Sequence, residues 1–210
     1  MTTLYGLAPY DRGAKARWLM TEMGIPYESH WINRAKKENE TPDYLSKNPM
    51  GRAPVLEIDG QVIFESVAIC AYLADRFLEK GFAPALDSPL RAHYQQWMYF
   101  SAATLDPFRA RIMIIEDIPE GELRTKKEAA LIGDVNDAMF TLDRALSKNQ
   151  FLVGERLTAA DICVTYDLYF STFWPEFKVV MEKYPNVLAY LNRMMKNPAA
   201  NQAEVFSYEE

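Results

Sequence analysis

Cysteine is almost missing from this chain. Cys70 and Cys163 are the only two, and their wide separation fits neither a disulfide framework nor a thiolate metal site, so no metal centre is expected. Positive charge is short as well. Twenty-three Lys and Arg stand against 29 Asp and Glu, a net charge of −6, which argues against electrostatic binding to nucleic acid. No apolar run approaches the ~18 residues of a membrane span, so no membrane association is expected. The opening residues, MTTLYGLAPYDRGAKARW, lack a basic stretch followed by an apolar one; no secretory leader is expected, and the location is read as cytoplasmic. His30 and His93 have no partner pattern and are read as structural or surface residues. What the chain does have is core. Of its 210 residues 49% are hydrophobic, and a chain this long buries about 70% of its unfolded surface. That suffices for one large core or two small ones and excludes a disordered chain.

The first 78 residues alternate strand-like and helix-like pieces. Residues 3–7 read as a short strand stopped by Ala8-Pro9. Residues 12–23 carry Ala16, Leu19, Met20 and Met23 at helical spacing, with Gly24 placed to end the helix. Residues 27–32 form a second candidate strand, the polar run 33–41 a loop, and Pro42-Asp43-Tyr44-Leu45 one helical turn. Two apolar runs, 54–58 and 61–64, flank Asp59-Gly60, a pair suited to a two-residue hairpin turn with positive φ. A helix follows at once, with Ser66 as its N-cap and Val67, Ile69, Cys70, Leu73 and Phe77 on its apolar face. This order predicts a small mixed sheet with helices packed on it, an α/β unit over residues 1–78. Residues 79–87 break the pattern as a linker. Over 88–210 only helical periods occur, at 89–108, 122–147, 158–173 and 187–196, so the second unit is read as all-helical, with residues 204–210 as a loose acidic tail. Thr158 and Asp161 have the spacing of a capping box, a structural role.

Two short stretches have the means for chemistry. In Asn48-Pro49-Met50-Gly51-Arg52-Ala53-Pro54-Val55-Leu56, a proline without a donor opens a strand that should pair in a hairpin. Either Pro54 is trans at the start of an edge strand, or the Ala53–Pro54 bond is cis at a sharp bend that turns the Val55 main chain outward toward an extended ligand. At Glu65-Ser66 a strand gives way to a helix. A serine hydroxyl and free N–H groups at a helix start suit a carboxylate, and Glu65 beside them suits an ammonium, together the amino-acid end of a peptide. The plain alternative is that Ser66 caps its own helix and Glu65 complements the dipole.

Together these elements resemble the glutathione S-transferase family over nearly the whole chain. The resemblance is carried by Asn-Pro-x-Gly-x-x-Pro-Val-Leu at 48–56, the Asp-Gly hairpin, Glu-Ser-x-Ala-Ile-x-x-Tyr-Leu at 65–73, and Phe-Leu-Val-Gly-Glu-Arg-Leu-Thr-Ala-Ala-Asp-Ile at 151–162. It implies an α/β thioredoxin-like domain followed by an all-helical domain, usually as a homodimer, with glutathione as co-substrate. It further implies a cis Ala53–Pro54 bond with the Val55 main chain facing the glutathione cysteine, and Glu65 and Ser66 on the γ-glutamyl group. Arg52 is the nearest cation for the glycine carboxylate. Plant-type relatives carry a His-Lys pair in the preceding loop; Asn39-Glu40 stands there in this chain, with Lys36 or Lys37 as substitutes.

The thiolate is the nucleophile of such an enzyme, so its fraction must be raised. A helix N-terminus contributes about 0.3–1 kcal/mol, less than one unit of a thiol pKa near ~8.5, whereas one hydrogen bond to the charged sulfur adds roughly 1.5–3 kcal/mol. The family supplies Tyr, Ser or Cys for this after the first strand. Here the chain reads Ala8-Pro9-Tyr10-Asp11-Arg12-Gly13, and the usual Ser or Cys positions fall on Asp11 or Arg12. Tyr10, by its phenol, and Arg12, by charge and hydrogen bond, are the catalytic candidates; the alternatives are a loop tyrosine and a solvated arginine. Tyr5 reads as a strand aromatic on the core, and Asp11, which would repel a thiolate, as a cap of the first helix.

The resemblance also places a second substrate between the domains, on the helix from Pro89 to Phe108. Tyr94, Met98, Tyr99 and Phe108 are the pocket candidates, with Trp97, Met113 and Tyr166 nearby, although aromatics and methionines at helical spacing equally make core. The implied activity is attack of the glutathione thiolate on a small apolar electrophile, or hydroperoxide reduction or ether or thioether cleavage at the same site. The alternative is a non-catalytic interaction protein on the same scaffold, like stringent starvation protein A and certain elongation-factor subunits. The unusual 8–13 loop favours that alternative, and the intact 52–66 constellation opposes it.

Overall fold

Asp59 and Gly60, at φ 47° and 77°, make the left-handed two-residue turn that joins β3 (Val55–Ile58) to β4 (Gln61–Phe64) in antiparallel register. They belong to a computed structural model that describes residues 1–8 and 11–206. The chain divides into two units, residues 1–83 with 195–210, and residues 84–194. In the first, β1 (Thr2–Gly6) lies antiparallel to β3 and β2 (Glu28–Trp31) lies parallel to β1, giving the order β2-β1-β3-β4.

Alternation along the strands gives this sheet two packed faces. Leu4, Leu56 and Ile58 are buried, as are Trp18, Leu19 and Met20 of α1 (Ala14–Met23) and Ile69, Cys70 and Leu73 of α3 (Ser66–Arg76). The alternate positions form a smaller cluster in which Val55, Ile32 and Tyr44 pack with Tyr5 and Leu7. Tyr44 comes from α2 (Pro42–Lys47), whose start is capped by the Thr41 hydroxyl accepting from the Tyr44 N–H at 3.3 Å. The polar run read as a loop holds two short 3₁₀ turns, at 34–36 and 38–40.

The end of the chain returns to this unit. α10 (Pro198–Gln202) packs on α1, Val205 is 0% exposed, and the Phe206 ring stands 5.5 Å from Trp18. The expected loose tail is therefore corrected for residues 204–206, and so is a second unit running unbroken from 88 to 210. The cause is a long-range apolar contact, which no local pattern announces. Residues 207–210 lie outside the described residues.

Among its described residues, every regular element of the second unit is a helix. α4 (Arg91–Phe100) and α5 (Asp106–Glu116) are joined by a wider π-type turn at Ser101–Leu105, so the helix expected over 89–108 runs on to Glu116. Pro107 lacks an N–H and would crowd the preceding turn of a regular α-helix; the wide turn ahead of it takes up the mismatch. There follow α6 (Glu122–Leu146), α7 (Ala159–Ser171), α8 (Pro175–Met181) and α9 (Pro185–Met194). At seven residues α8 is too short to show a period, and the sequence pattern misses it. Among the described residues no helix is long and apolar enough to cross a membrane.

The capping box at Thr158 is present, and it does more than cap. The buried Asp161 carboxylate accepts from the Leu152 N–H at 2.8 Å, the Thr158 N–H at 3.0 Å, the Thr158 hydroxyl at 2.8 Å and the Tyr190 hydroxyl at 3.1 Å. One carboxylate thus joins α7, the segment before it and α9. Asp161→Ala strands several buried donors at once and is expected to cost about 3–5 kcal/mol in a denaturant titration, against about 1 kcal/mol for Tyr190→Phe. Equal, small losses in the two variants would contradict this account.

Candidate functional site

Asn48 is 3% exposed and organises the loop that follows it. Its Nδ2 donates to the Arg52 carbonyl at 2.7 Å, and its Oδ1 accepts from the Met50 N–H at 3.0 Å. The Tyr44 hydroxyl donates to the same Arg52 carbonyl at 3.0 Å, and its pKa is raised to about 12, first by burial and then by Asp11 and Tyr5, so it stays a donor. Gly51 sits at φ 61°, and a Cβ there would come within 2.9 Å of the Asn39 carbonyl, so glycine is required. Asn39 Nδ2 donates to the Gly51 carbonyl at 3.0 Å. Sequence reasoning missed Asn48, Asn39 and Tyr44 as site-builders; the Asn-Pro-x-Gly spacing was the available signal for the first.

The loop delivers Arg52, Ala53 and Pro54 to one end of the sheet. The Ala53–Pro54 bond is cis. Val55 is the first residue of β3 and is registered against Tyr5 on one side and Phe64 on the other. The outward main chain expected at Val55 is corrected accordingly: Pro54 has no N–H, the ladder starts after it, and the sheet takes up Val55. Ala53, half-buried and outside any strand, offers the main-chain edge; among the described residues it has no hydrogen-bond partner. The Arg52 side chain is exposed.

Because Val55 faces Phe64, the residues preceding β3 and following β4 meet at that same end. Here Glu65 adopts φ 73° and ψ 112°, a conformation unfavourable for a residue with a Cβ. It is Glu65, not Ser66, that occupies the N-cap position of α3. The expectation that Ser66 caps the helix is thereby corrected: with Glu65 at the cap position the helix begins one residue earlier, at Ser66 itself. No side chain caps this end and its first turn has no acidic residue. The Ser66 side chain, nearly buried, therefore lies beside N–H groups that no side-chain cap supplies.

The turn between β1 and α1 reaches the same end, since Tyr5 faces Val55. A Cβ on Gly13 would lie 3.4 Å from Pro54 Cβ and 2.7 Å from Asp11 Oδ1. Asp11 fastens this turn: Oδ2 accepts from the Leu7 N–H at 2.5 Å and Oδ1 from the Gly13 N–H at 2.8 Å. Burial raises the Asp11 pKa, opposed by those two N–H groups and by Arg17. The helix starts after Gly13, so Asp11 braces the turn from two residues before the cap position it was expected to fill. Arg12 is half-buried beside it. Tyr10, the other catalytic candidate, lies outside the described residues.

Tyr5 is engaged elsewhere. Its hydroxyl donates to Glu57 Oε2 at 2.8 Å, its ring packs 5.1 Å from His30, and Lys47 lies 3.4 Å from Glu57 and over the Tyr5 ring. Burial and the Glu57 carboxylate raise the phenol pKa, while the Tyr5 hydroxyl and Lys47 lower that of Glu57. Of the substitute cations, Lys37 pairs with Glu40 at 3.6 Å on the surface. Among the described residues no cluster of His, Cys, Asp or Glu is arranged to hold a metal ion.

In the second unit, Tyr94 and Met98 are buried, on the inward stripe of α4. Tyr99 is 69% exposed. Phe108 lines an open groove of about 330 Å³, shared with Phe100, Thr104, Arg111 and Asp137.

Comparisons with known proteins agree with this construction. The glutathione S-transferase N-terminal domain family matches residues 1–75, and the C-terminal domain family matches residues 100–198. Elongation factor 1-gamma from Prunus avium is 35% identical over 167 residues, 76% of this chain but 37% of that protein, so the chain spans well under half the length of this relative. Glutathione S-transferase hmp2 from Hypomyces subiculosus is 29% identical over 195 residues, 88% of each chain. Among solved structures, a glutathione transferase family member from Pseudomonas fluorescens, with two glutathione bound, has a TM-score of 0.84 at 26% identity, covering 97% of this chain and 92% of its own. The chain belongs to the glutathione S-transferase family.

Proposed function

We propose that this protein binds glutathione at the sheet end described above and uses its thiolate to attack a small electrophile. The observation that carries this is the Glu65–Ser66 turn: a strained residue ahead of an uncapped helix start, at the same edge as the Ala53 main chain. The α3 N–H groups and the Ser66 hydroxyl receive the γ-glutamyl carboxylate, and Glu65 receives the ammonium. Ala53 offers main-chain groups to the cysteinyl residue, and Arg52 a cation to the glycine carboxylate. Arg12, by charge and hydrogen bond, and Tyr10, by its phenol, stabilise the sulfur anion from the segment between β1 and α1. Conjugation, hydroperoxide reduction and ether or thioether cleavage all start from that thiolate. The family habit of pairing two copies extends the proposal to a homodimer, and the proposal places it in the cytoplasm.

A second reading has specific support. The similarity to elongation factor 1-gamma, and a β1–α1 turn without Ser or Cys at the usual positions, favour a non-catalytic interaction role on the same scaffold.

Calorimetric titration with glutathione separates the two. The wild type is expected to bind, and Ser66→Ala to bind roughly tenfold or more weakly, as for one hydrogen bond to a charged group. A folded protein that releases no heat at millimolar glutathione would favour the interaction role. With an aryl halide and a hydroperoxide as substrates, Arg12→Ala or Tyr10→Phe is expected to lower kcat by about 10–100-fold while leaving glutathione affinity nearly unchanged. Unchanged kcat in both variants would remove these two residues from the chemistry.

A further inference from the structure

We propose that Arg17 is a positioning residue that ties the returning segment 198–206 to the Asp11 carboxylate and so sets the β1–α1 turn. Arg17 is 3% exposed on α1 and reaches three partners from different parts of the chain. Its Nε donates to the Ala203 carbonyl at 3.2 Å, its Nη1 lies 4.0 Å from Asp11 Oδ1, and its guanidinium lies 5.2 Å from the Trp31 ring centroid. A guanidinium buried this deeply needs both a counter-charge and hydrogen-bond acceptors, and packing alone would be served as well by a methionine.

Each end of the coupling is fixed. On one side, the Asp11 oxygens hold the N–H groups of Leu7 and Gly13, so the carboxylate defines where β1 ends and α1 begins. On the other, the Ala203 carbonyl is placed by contacts that flank it. Asn197 Nδ2 donates to Glu22 at 2.6 Å, Glu22 also accepts from the Trp18 indole at 3.1 Å, the Val205 N–H donates to the Ala200 carbonyl at 3.0 Å, and Phe206 stands against Trp18. Loosening 198–206 withdraws the Ala203 carbonyl from Arg17, shifts the guanidinium and weakens its hold on Asp11. That this turn acts on a thiol rests on the glutathione assignment above; the coupling does not.

Amide hydrogen exchange on the full chain tests it. Phe206→Ala loosens the segment while leaving the Arg17 side chain in place and is expected to speed exchange at Leu7 and Gly13 roughly fivefold, the scale of one ion pair, while Leu56 and Ile58 in β3 keep their rates. Arg17→Met should do the same, and Phe206→Ala added to it should contribute nothing further. If Arg17→Met does not fold, Phe206→Ala carries the test alone. In Phe206→Ala the thiol pKa of bound glutathione, followed by thiolate absorbance, should also rise. Unchanged Leu7 and Gly13, or β3 amides that speed up equally, overturn the coupling even if glutathione binds. Faster Leu7 and Gly13 exchange in a protein whose wild type takes up no glutathione leaves the coupling standing and removes the glutathione assignment.

Discussion

A buried asparagine amide holds the first unit's working end together. Asn48 gives its donor to the Arg52 carbonyl and its acceptor to the Met50 N–H, out of competition with water. With the loop closed this way, Gly51 must be left-handed, Ala53 is left outside the ladder, and Pro54 meets the start of α1. Remove that closure and the residues proposed to grip a ligand lose their common frame.

How much of this was legible in the sequence depends on the distance over which each cause acts. The Asp59-Gly60 hairpin, the long α6 and the Thr158–Asp161 box were all readable, because turn chemistry, helical period and capping act within a few residues. Two site assignments were displaced along the chain, the first by two positions and the second by one. Ala53 rather than Val55 bears the free main chain, and Glu65 rather than Ser66 occupies the cap position, because backbone angles decide both and side-chain identity only hints at them. The return of residues 198–206 was hidden altogether, since its partner Trp18 is some 180 positions away in the chain.

The proposed binding and the proposed activation draw on separate parts of the first unit. The groups suited to a tripeptide's charged ends come from the 48–54 loop and the β4–α3 junction, whereas the group that would ionise a thiol must come from the β1–α1 turn. The first set is largely fixed by hydrogen bonds inside its own elements. The second depends on Asp11, whose burial raises its pKa and whose oxygens are committed to main-chain N–H groups. A scaffold divided in this way can keep a ligand cradle while its chemical group changes or disappears, which is consistent with matches to both transferases and an elongation-factor subunit.

The return of the chain after Met194 makes the first unit discontinuous in sequence, with residues 84–194 set into it like an insertion. A fragment ending at residue 83 would carry every strand and every residue of the proposed cradle, yet it would lay bare Trp18, which is 0% exposed in the whole protein. Separating the two units therefore calls for a circularly permuted or spliced chain rather than a simple cut, with the last turn of polypeptide kept as a lid over the first helix.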